Sequence, residues 1–483
     1  MASKPTQLRV FFLPFLAPGH MIPMVDAARL FARHGVDVTI VTTRTTASYF
    51  KKSIDDDKNS GNQIRIHTLQ IPSAEVGIKD GVETFLATFL LLRKPMEQLL
   101  YETRPDCIVS DMFYPWSVDV AEKLGIPRLV FHGSSYFGHC AEIRLIDYEL
   151  PDSDVVLVPN FPYKIEILKS QLADWLLSPS MLTYLMKETR ISEEKSYGIL
   201  MNTFQELESS CEEFCRTSLK KKTWSVGPIS SWVNRDIAEK VQRFNIDGEG
   251  ETLEIMNWLD SKERNSVLYV NFGSLNMFGA AQLTEIAYGL EASGHSFIWV
   301  VRKEEEDEVF PVGFEERMKE SKRGFLVKNW APQMAILDHQ ATGGMVTHCG
   351  WNSVLEGVAA GLPMITWPLF GEQFLNEKFV TEVLGIGVGV GVKEYKWCSS
   401  GEERKEIVKK EKIEKVVALL MGGGEEGLEM KKKVIKLAEE AKKSVGSGGS
   451  SQENLKALLN ELKLLKIQSA GEKERDESFS QKI

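Results

Sequence analysis

Twice along the chain, short β-branched runs alternate with segments of helical period, and a polar stretch lacking apolar period separates the two series. In the first series MIPMVDAARLFARHG reads as a helix ending at Gly35, and VDVTIVTT as the strand after it. IRIHTLQI, CIVSDMF, PRLVFHG and YGILMNTF follow, each bounded by helical or polar segments. Strands joined by helix-length connections lie parallel, with helices covering both faces, so each series defines a doubly wound sheet. The second series comprises SVLYVNFG, SFIWVVR, GFLVKNW, GGMVTHCG and PMITWP. The expected fold is therefore α/β: one Rossmann-like domain over 1–228, a linker over 229–252 and a second such domain over 253–450. VGSGGSSQ reads as a flexible joint before a last helix over 451–467, and the polar remainder, 468–483, is expected to be disordered.

Charge and cysteine usage narrow the function. A net charge of −10 without a Lys/Arg-rich cluster argues against a nucleic-acid or anionic-membrane partner. The cysteines, at 107, 140, 211, 215, 349 and 398, show neither C-x-x-C nor zinc spacing, so reduced thiols are expected, with Cys211 and Cys215 as packing residues. The apolar start LRVFFLPFLAPGHMIP is broken by Pro14 and Pro18 and lacks a cleavage site. No later run reaches the roughly 20 apolar residues of a membrane span. A buried first strand over about residues 8–13 and a cytoplasmic location are the expectations.

Chemistry concentrates in two places. The strand GGMVTH enters the turn Cys349-Gly350-Trp351-Asn352-Ser353, which opens the helix SVLEGVAAG. The first backbone N–H groups of such a helix lack intrahelical acceptors and carry about half a positive charge, which suits a phosphate. Gly350 permits close backbone approach, Asn352 and Ser353 are capping residues, and His348 adds a donor. The second place is Pro18-Gly19-His20, at the C-terminal end of the first strand, where open α/β sheets bind ligands. A helix start there favours neutral imidazole, and Asp111, ending CIVSD, emerges at the same sheet edge. On the residues alone two readings stand: a base with its carboxylate partner, or a helix-capping His and a turn-opening Asp.

The stretch from Trp330 to Gln373, WAPQMAILDHQATGGMVTHCGWNSVLEGVAAGLPMITWPLFGEQ, closely resembles the signature box of plant UDP-sugar-dependent glycosyltransferases, without gap or insertion. That resemblance implies a GT-B fold, two Rossmann-like domains facing across a cleft, with the C-terminal helix returning to the first domain. It implies that Trp330 stacks on uracil, that the backbone of Ala331 reads the base edge, and that Gln333 and Glu356 hold the ribose. His348, Asn352, Ser353 and Ser274 would meet the diphosphate, and Trp351, Glu372 and Gln373 the sugar hydroxyls. Glu372 departs from the Asp of many relatives, and the closing Gln is commonly linked with glucose. His20 becomes the general base and Asp111 its charge partner, in an inverting transfer that needs no cofactor or metal, with the UDP-sugar as co-substrate. FLPFLAPGHMIPMVDAARLFA and WPLFGEQFLNEKF resemble a subgroup acting on triterpenoids, steroids and flavonoids, which implies a hydrophobic acceptor, a triterpenoid sapogenin or saponin first and a flavonoid second. Acceptor pockets in this family come from first-domain loops, here around Phe15 to Met21, Val82 to Leu91, Ser134 to Phe137 and Met181 to Met186.

Three rival readings stand. Asp55-Asp56-Asp57 matches the D-x-D of metal-dependent glycosyltransferases, but in what reads as an exposed, mobile loop. A nicotinamide oxidoreductase would need G-x-G-x-x-G after a strand; the first strand leads to A-P-G-H, and Gly385-Ile386-Gly387-Val388-Gly389 has the wrong spacing. A non-catalytic nucleotide-sugar binder shares the pocket, and only activity separates it.

Overall fold

The computed structural model describes residues 7–70, 82–146, 148–243, 249–275, 277–302, 310–328, 330–396 and 405–480. The acidic run at 304–308 and Cys398 lie outside them. The first half contributes β1 (Arg9–Leu13), β2 (Asp37–Thr43), β3 (Ile64–Leu69), β4 (Cys107–Asp111), β5 (Arg128–His132), the hairpin β6 (Val155–Leu157) and β7 (Glu166–Leu168), β8 (Gly198–Met201) and β9 (Thr223–Ser225). All but the hairpin pair in parallel, in the order β3-β2-β1-β4-β5-β8-β9. The second half contributes β10 (Val267–Asn271), β11 (Ser296–Val301), β12 (Gly324–Lys328), β13 (Thr342–Thr347), β14 (Met364–Thr366) and β15 (Gly387–Gly389), parallel in the order β12-β11-β10-β13-β14-β15. The central strands β4 and β5 are buried along their whole length, because helices cover both sheet faces.

The two halves share packing. Phe137 of the first meets Phe379 of the second with ring centroids 4.9 Å apart, inside one continuous apolar cluster. In the first domain His132 and His139 approach the Glu193 carboxylate at 2.6 and 3.3 Å. Burial works against the charges, yet Glu193 holds His139 up at about 9 and is itself held well below the usual carboxylate range by His139 and His132. With the Lys221 ammonium 3.8 Å from its second oxygen, this group reads as a buried ion-pair cluster. Cys211 and Cys215 are fully buried.

Helices Ile229–Val233 and Ile237–Gln242 occupy the linker and Glu249–Asp260 begins within it, with 244–248 outside the described residues. Asp236 caps the second of them by accepting from the Glu239 N–H at 2.8 Å, a D-x-x-E signal present in the sequence. Two expectations need correction. The last helix runs Ser450–Ser480, past 467, since the proline-free tail carries a Glu/Lys/Arg run, 472–475, whose residues sustain helix. Its Leu455, Leu458, Leu459 and Leu462 are buried in the first domain's core, beside Trp224 and Trp232. Finally, Asp55-Asp56-Asp57 lies on a helix, Lys51–Asn59, where residues two apart face away from each other. Asp57 is buried between Arg29 and Arg33 at 2.5 and 2.7 Å, whereas Asp55 pairs with Lys51, so the triplet does not present a chelating pair.

Candidate active site at the meeting of two switch points

In each sheet the strand order reverses once, between β1 and β4 and between β10 and β13. Loops leaving the C-terminal strand ends diverge at such a point and leave a crevice. The two crevices meet here. The Asn352 side-chain amide donates to the Gly19 carbonyl at 2.6 Å, and the Trp351 indole N–H to the Asn202 carbonyl at 2.8 Å.

On the first-domain side, β1 passes into helix Pro18–Arg33, with Pro18 at its first position, where a missing N–H costs nothing. His20 sits in the first turn, and its Nδ1 lies 2.9 Å from Asp111 Oδ2. Asp111 is wholly buried, and its other oxygen accepts the Phe113 N–H at 2.9 Å, so the carboxylate is fixed from both ends. The imidazole keeps 24% of its surface open. With Nδ1 donating to Asp111, the lone pair stands on Nε2, the atom left to take a proton. Burial pulls the imidazolium down, but the Asp111 charge and hydrogen bond, followed by the Glu372 charge, outweigh it, and His20 ends above its ordinary 6.5. The helix start favours the neutral ring, but the two carboxylates outweigh it. A base must be neutral, so activity should fall as pH drops through a pKa above 6.5. Glu372→Gln removes one raising charge and is expected to move the acid limb of kcat/KM to lower pH; an unmoved limb in a pH–rate profile would sever that link.

On the second-domain side, β13 ends at Thr347 and the chain turns through Cys349, whose φ of 63° is left-handed in a non-glycine residue. The Asn376 amide holds the Cys349 carbonyl at 2.9 Å. His348 is pushed down to about 4 by burial, so it is a neutral donor near neutral pH. Its ring stands against two glycines: a Cβ would lie 2.4 Å from Nε2 at Gly350 and 2.7 Å at Gly273. Helix Trp351–Ala359 follows without a side-chain cap, leaving its first N–H groups for an anion. Ser274 is exposed in the loop leaving β10, beside Gly273.

Two box residues do something other than the resemblance implied. Trp351 is buried with its indole N–H used by Asn202, so its side chain cannot face sugar hydroxyls; it fastens the domains, and its backbone stays at the helix start. The Asn352 side chain is likewise engaged, by Gly19 and, at 3.3 Å, by Asn202.

Among the remaining box residues, Gln333, Ser353 and Glu356 form one hydrogen-bonded group. Gln333 donates to Glu356 Oε2 at 2.8 Å and toward Ser353 Oγ at 3.4 Å, while its own carbonyl accepts from Asn271 at 2.8 Å. Ala331 is buried with its carbonyl bonded to the Gln333 N–H, and half-buried Trp330 packs against the first domain's core. Gln373 Oε1 accepts the N–H groups of Leu369 and Phe370 at 2.9 and 3.1 Å, which fixes its side chain and leaves the amide nitrogen for a ligand. Burial raises the Glu372 carboxyl, opposed by its own N–H, by His20 and by Asn376. Asn202, Asn271 and Asn376 were missed from sequence. Asn202 lies within YGILMNTF directly after β8, at the same edge of the sheet as Asp111 at the end of β4, so a signal existed for it.

Of the first-domain segments expected to receive an acceptor, Phe15, Ser135 and Phe137 are core residues. Ser135 bonds to Asn376 across the domains at 2.8 Å. Leu90, Leu91, Met181 and Tyr184 are exposed, at 66, 47, 65 and 62%. They stand on helices Val82–Thr103 and Met181–Lys195, which share a core cluster through Leu92 and Leu185. Residues 71–81 lie outside the described residues, as do the side chains of 82–89.

Two doubly wound domains, joined where a His–Asp pair faces a helix start and a neutral His, define a GT-B glycosyltransferase. The chain belongs to the family described as UDP-glucoronosyl and UDP-glucosyl transferase, which residues 36–400 match. It is 47% identical to soyasapogenol B glucuronide galactosyltransferase of Glycine max, over 97% of this chain and 98% of that one. It resembles the crystal structure of Glycyrrhiza uralensis UGT73P12 complexed with glycyrrhetinic acid 3-O-monoglucuronide, with a TM-score of 0.91 and 45% identity, covering 99% of this chain and 100% of that one. Medicago truncatula UGT71G1 complexed with UDP-glucose gives a TM-score of 0.82 at 26% identity, covering 96 and 100%.

Proposed function

We propose that this glycosyltransferase moves one sugar, glucose by preference, from a UDP-sugar to a hydroxyl of a triterpenoid sapogenin or saponin, with inversion. The observation that carries the reading is the His20–Asp111 pair at 2.9 Å, set where the phosphate-type helix start of the other domain meets the His20 loop. The acceptor oxygen attacks the anomeric carbon from the side opposite UDP. Its proton passes to His20 Nε2, Asp111 stabilises the imidazolium formed, and the bond to the diphosphate oxygen breaks. The leaving UDP carries the electron pair, stabilised by the first N–H groups of helix Trp351–Ala359 and by His348 with Ser353 and Ser274. In this reading Gln333 and Glu356 take the ribose hydroxyls, Trp330 and Ala331 the base, and Glu372 and Gln373 the sugar. These donors supply the charge stabilisation a metal would give, so no metal is required.

The acceptor class is supported by the relatives named for a soyasapogenol glucuronide and complexed with a glycyrrhetinic acid glucuronide, together with the exposed apolar side chains on the Met181–Lys195 helix. A flavonoid acceptor is the second reading, favoured by the same apolar surface. Among the described residues no helix is long and apolar enough to cross a membrane, and the five described cysteines are buried and free, which supports a reaction in the cytoplasm.

The test is transfer followed by mass spectrometry, pairing UDP-glucose, UDP-xylose, UDP-galactose and UDP-glucuronic acid with triterpenoid, triterpenoid-glucuronide and flavonoid acceptors. A triterpenoid product heavier by one hexose is expected, equally in the presence of EDTA. Activity lost to EDTA and restored by manganese would overturn the metal-free mechanism. Tight UDP binding without any product would favour the non-catalytic binder.

A further inference from the structure

The Glu356 carboxylate has a second partner besides Gln333. Arg243, just past the linker helix Ile237–Gln242, places Nη1 2.5 Å from Glu356 Oε1. The same guanidinium reaches Asp26 Oδ2 on helix Pro18–Arg33, with Nε at 2.9 Å and Nη2 at 2.7 Å. All three side chains are shielded, at 9, 6 and 1% exposure for Arg243, Glu356 and Asp26. The linker helix is pinned on both flanks as well, by Arg33–Glu239 at 3.0 Å toward the first domain and by Lys240–Asp338 at 2.6 Å toward the second. Asp338 follows directly on the short helix Gln333–Leu337 that carries the other ribose residue.

We propose, resting on the reading of Glu356 as the ribose carboxylate, that Arg243 is the positioning residue of the donor site, holding Glu356 oriented so that both ribose hydroxyls find an acceptor. A carboxylate offers about four lone-pair directions. Arg243 uses one on Oε1 and Gln333 one on Oε2, which leaves one on each oxygen, spaced for the neighbouring hydroxyls of a ribose. A buried carboxylate without its cation would swing toward water, and would lose that geometry. The first domain contributes through Asp26: it fixes the arginine fork from behind, so the nucleotide site of one domain depends on a residue of the other. Because the linker supplies the arginine, domain docking and ribose recognition are one event.

The experiment compares UDP with 2′,3′-dideoxy-UDP, by calorimetry, on the wild-type chain and on Arg243→Met, Arg243→Lys, Asp26→Asn and Glu356→Gln. Wild type is expected to prefer UDP by about 10- to 100-fold, the worth of hydrogen bonds to a charged group. In Arg243→Met, UDP should weaken about 10-fold while dideoxy-UDP is unchanged, so the preference collapses. Donor KM should rise in parallel, with kcat at saturating donor retained. Asp26→Asn should lose part of the preference, and nothing more once Arg243 is already Met. Should Arg243→Met fail to fold, as judged by melting, Arg243→Lys and Asp26→Asn carry the same comparison. Tighter UDP binding in Arg243→Met would mean that the arginine competes with ribose, and equal weakening of both ligands would mean general support of the fold; either overturns the proposal. An undiminished preference in Glu356→Gln would instead remove the ribose assignment itself.

Discussion

His20→Ala should lower kcat by about 10²- to 10⁴-fold, the usual worth of a positioned general base, while UDP affinity stays essentially that of the wild type. The two effects separate because of where the residue sits. His20 touches the first domain's Asp111 and the rings of Phe15 and Phe113, at 5.9 and 5.0 Å. The proposed uridine contacts all belong to the other domain. The bond from Gly19 to Asn352 uses a backbone carbonyl and survives the truncation. Turnover at saturating donor and acceptor, with UDP titrated by calorimetry, reads both quantities. Unchanged turnover would remove His20 from the mechanism, and lost UDP affinity would reassign it to the donor pocket.

Asp111→Asn should cost a similar factor, about 10²- to 10⁴-fold in kcat, with little change in melting temperature. The substitution is isosteric, and the remaining side-chain oxygen can still accept the Phe113 N–H. The amide NH2 group then faces His20 Nδ1 and donates to it, which moves the ring proton to Nε2, where a base needs its lone pair. The loss also removes the largest raising influence on His20, so whatever activity remains should have its acid limb at lower pH than the wild type. A pH–rate profile with a limb unchanged from wild type would show that Asp111 does not act through His20. A collapsed melting curve would point to the Phe113 turn instead.

Most of what positions the site was legible in sequence because it is local. β-branched runs between helix-length segments define the sheets, and the loops bearing His20, Asp111 and Gly350 leave strand ends that periodicity alone locates. What stayed hidden depends on partners far along the chain. The Trp351 indole is used by a carbonyl 149 positions away, in the other domain, and nothing within the box hints at that. His20 is raised chiefly by Asp111, which the sequence offered, and further by Glu372, more than three hundred residues later, which it did not. Asp55-Asp56-Asp57 read as an exposed loop because Arg29 and Arg33, which bury Asp57, come from a different helix, one turn apart. The tail past 467 failed for another reason: polarity was taken for disorder, although its composition favours helix.

The bonds from Trp351 to Asn202 and from Asn352 to Gly19 lie at the reaction centre itself rather than at the rim. With Ser135–Asn376 and Phe137–Phe379 also joining the two halves, the base and the phosphate turn are held in register by one continuous seam, so the distance between them is set by backbone carbonyls and buried rings rather than by the reacting side chains themselves.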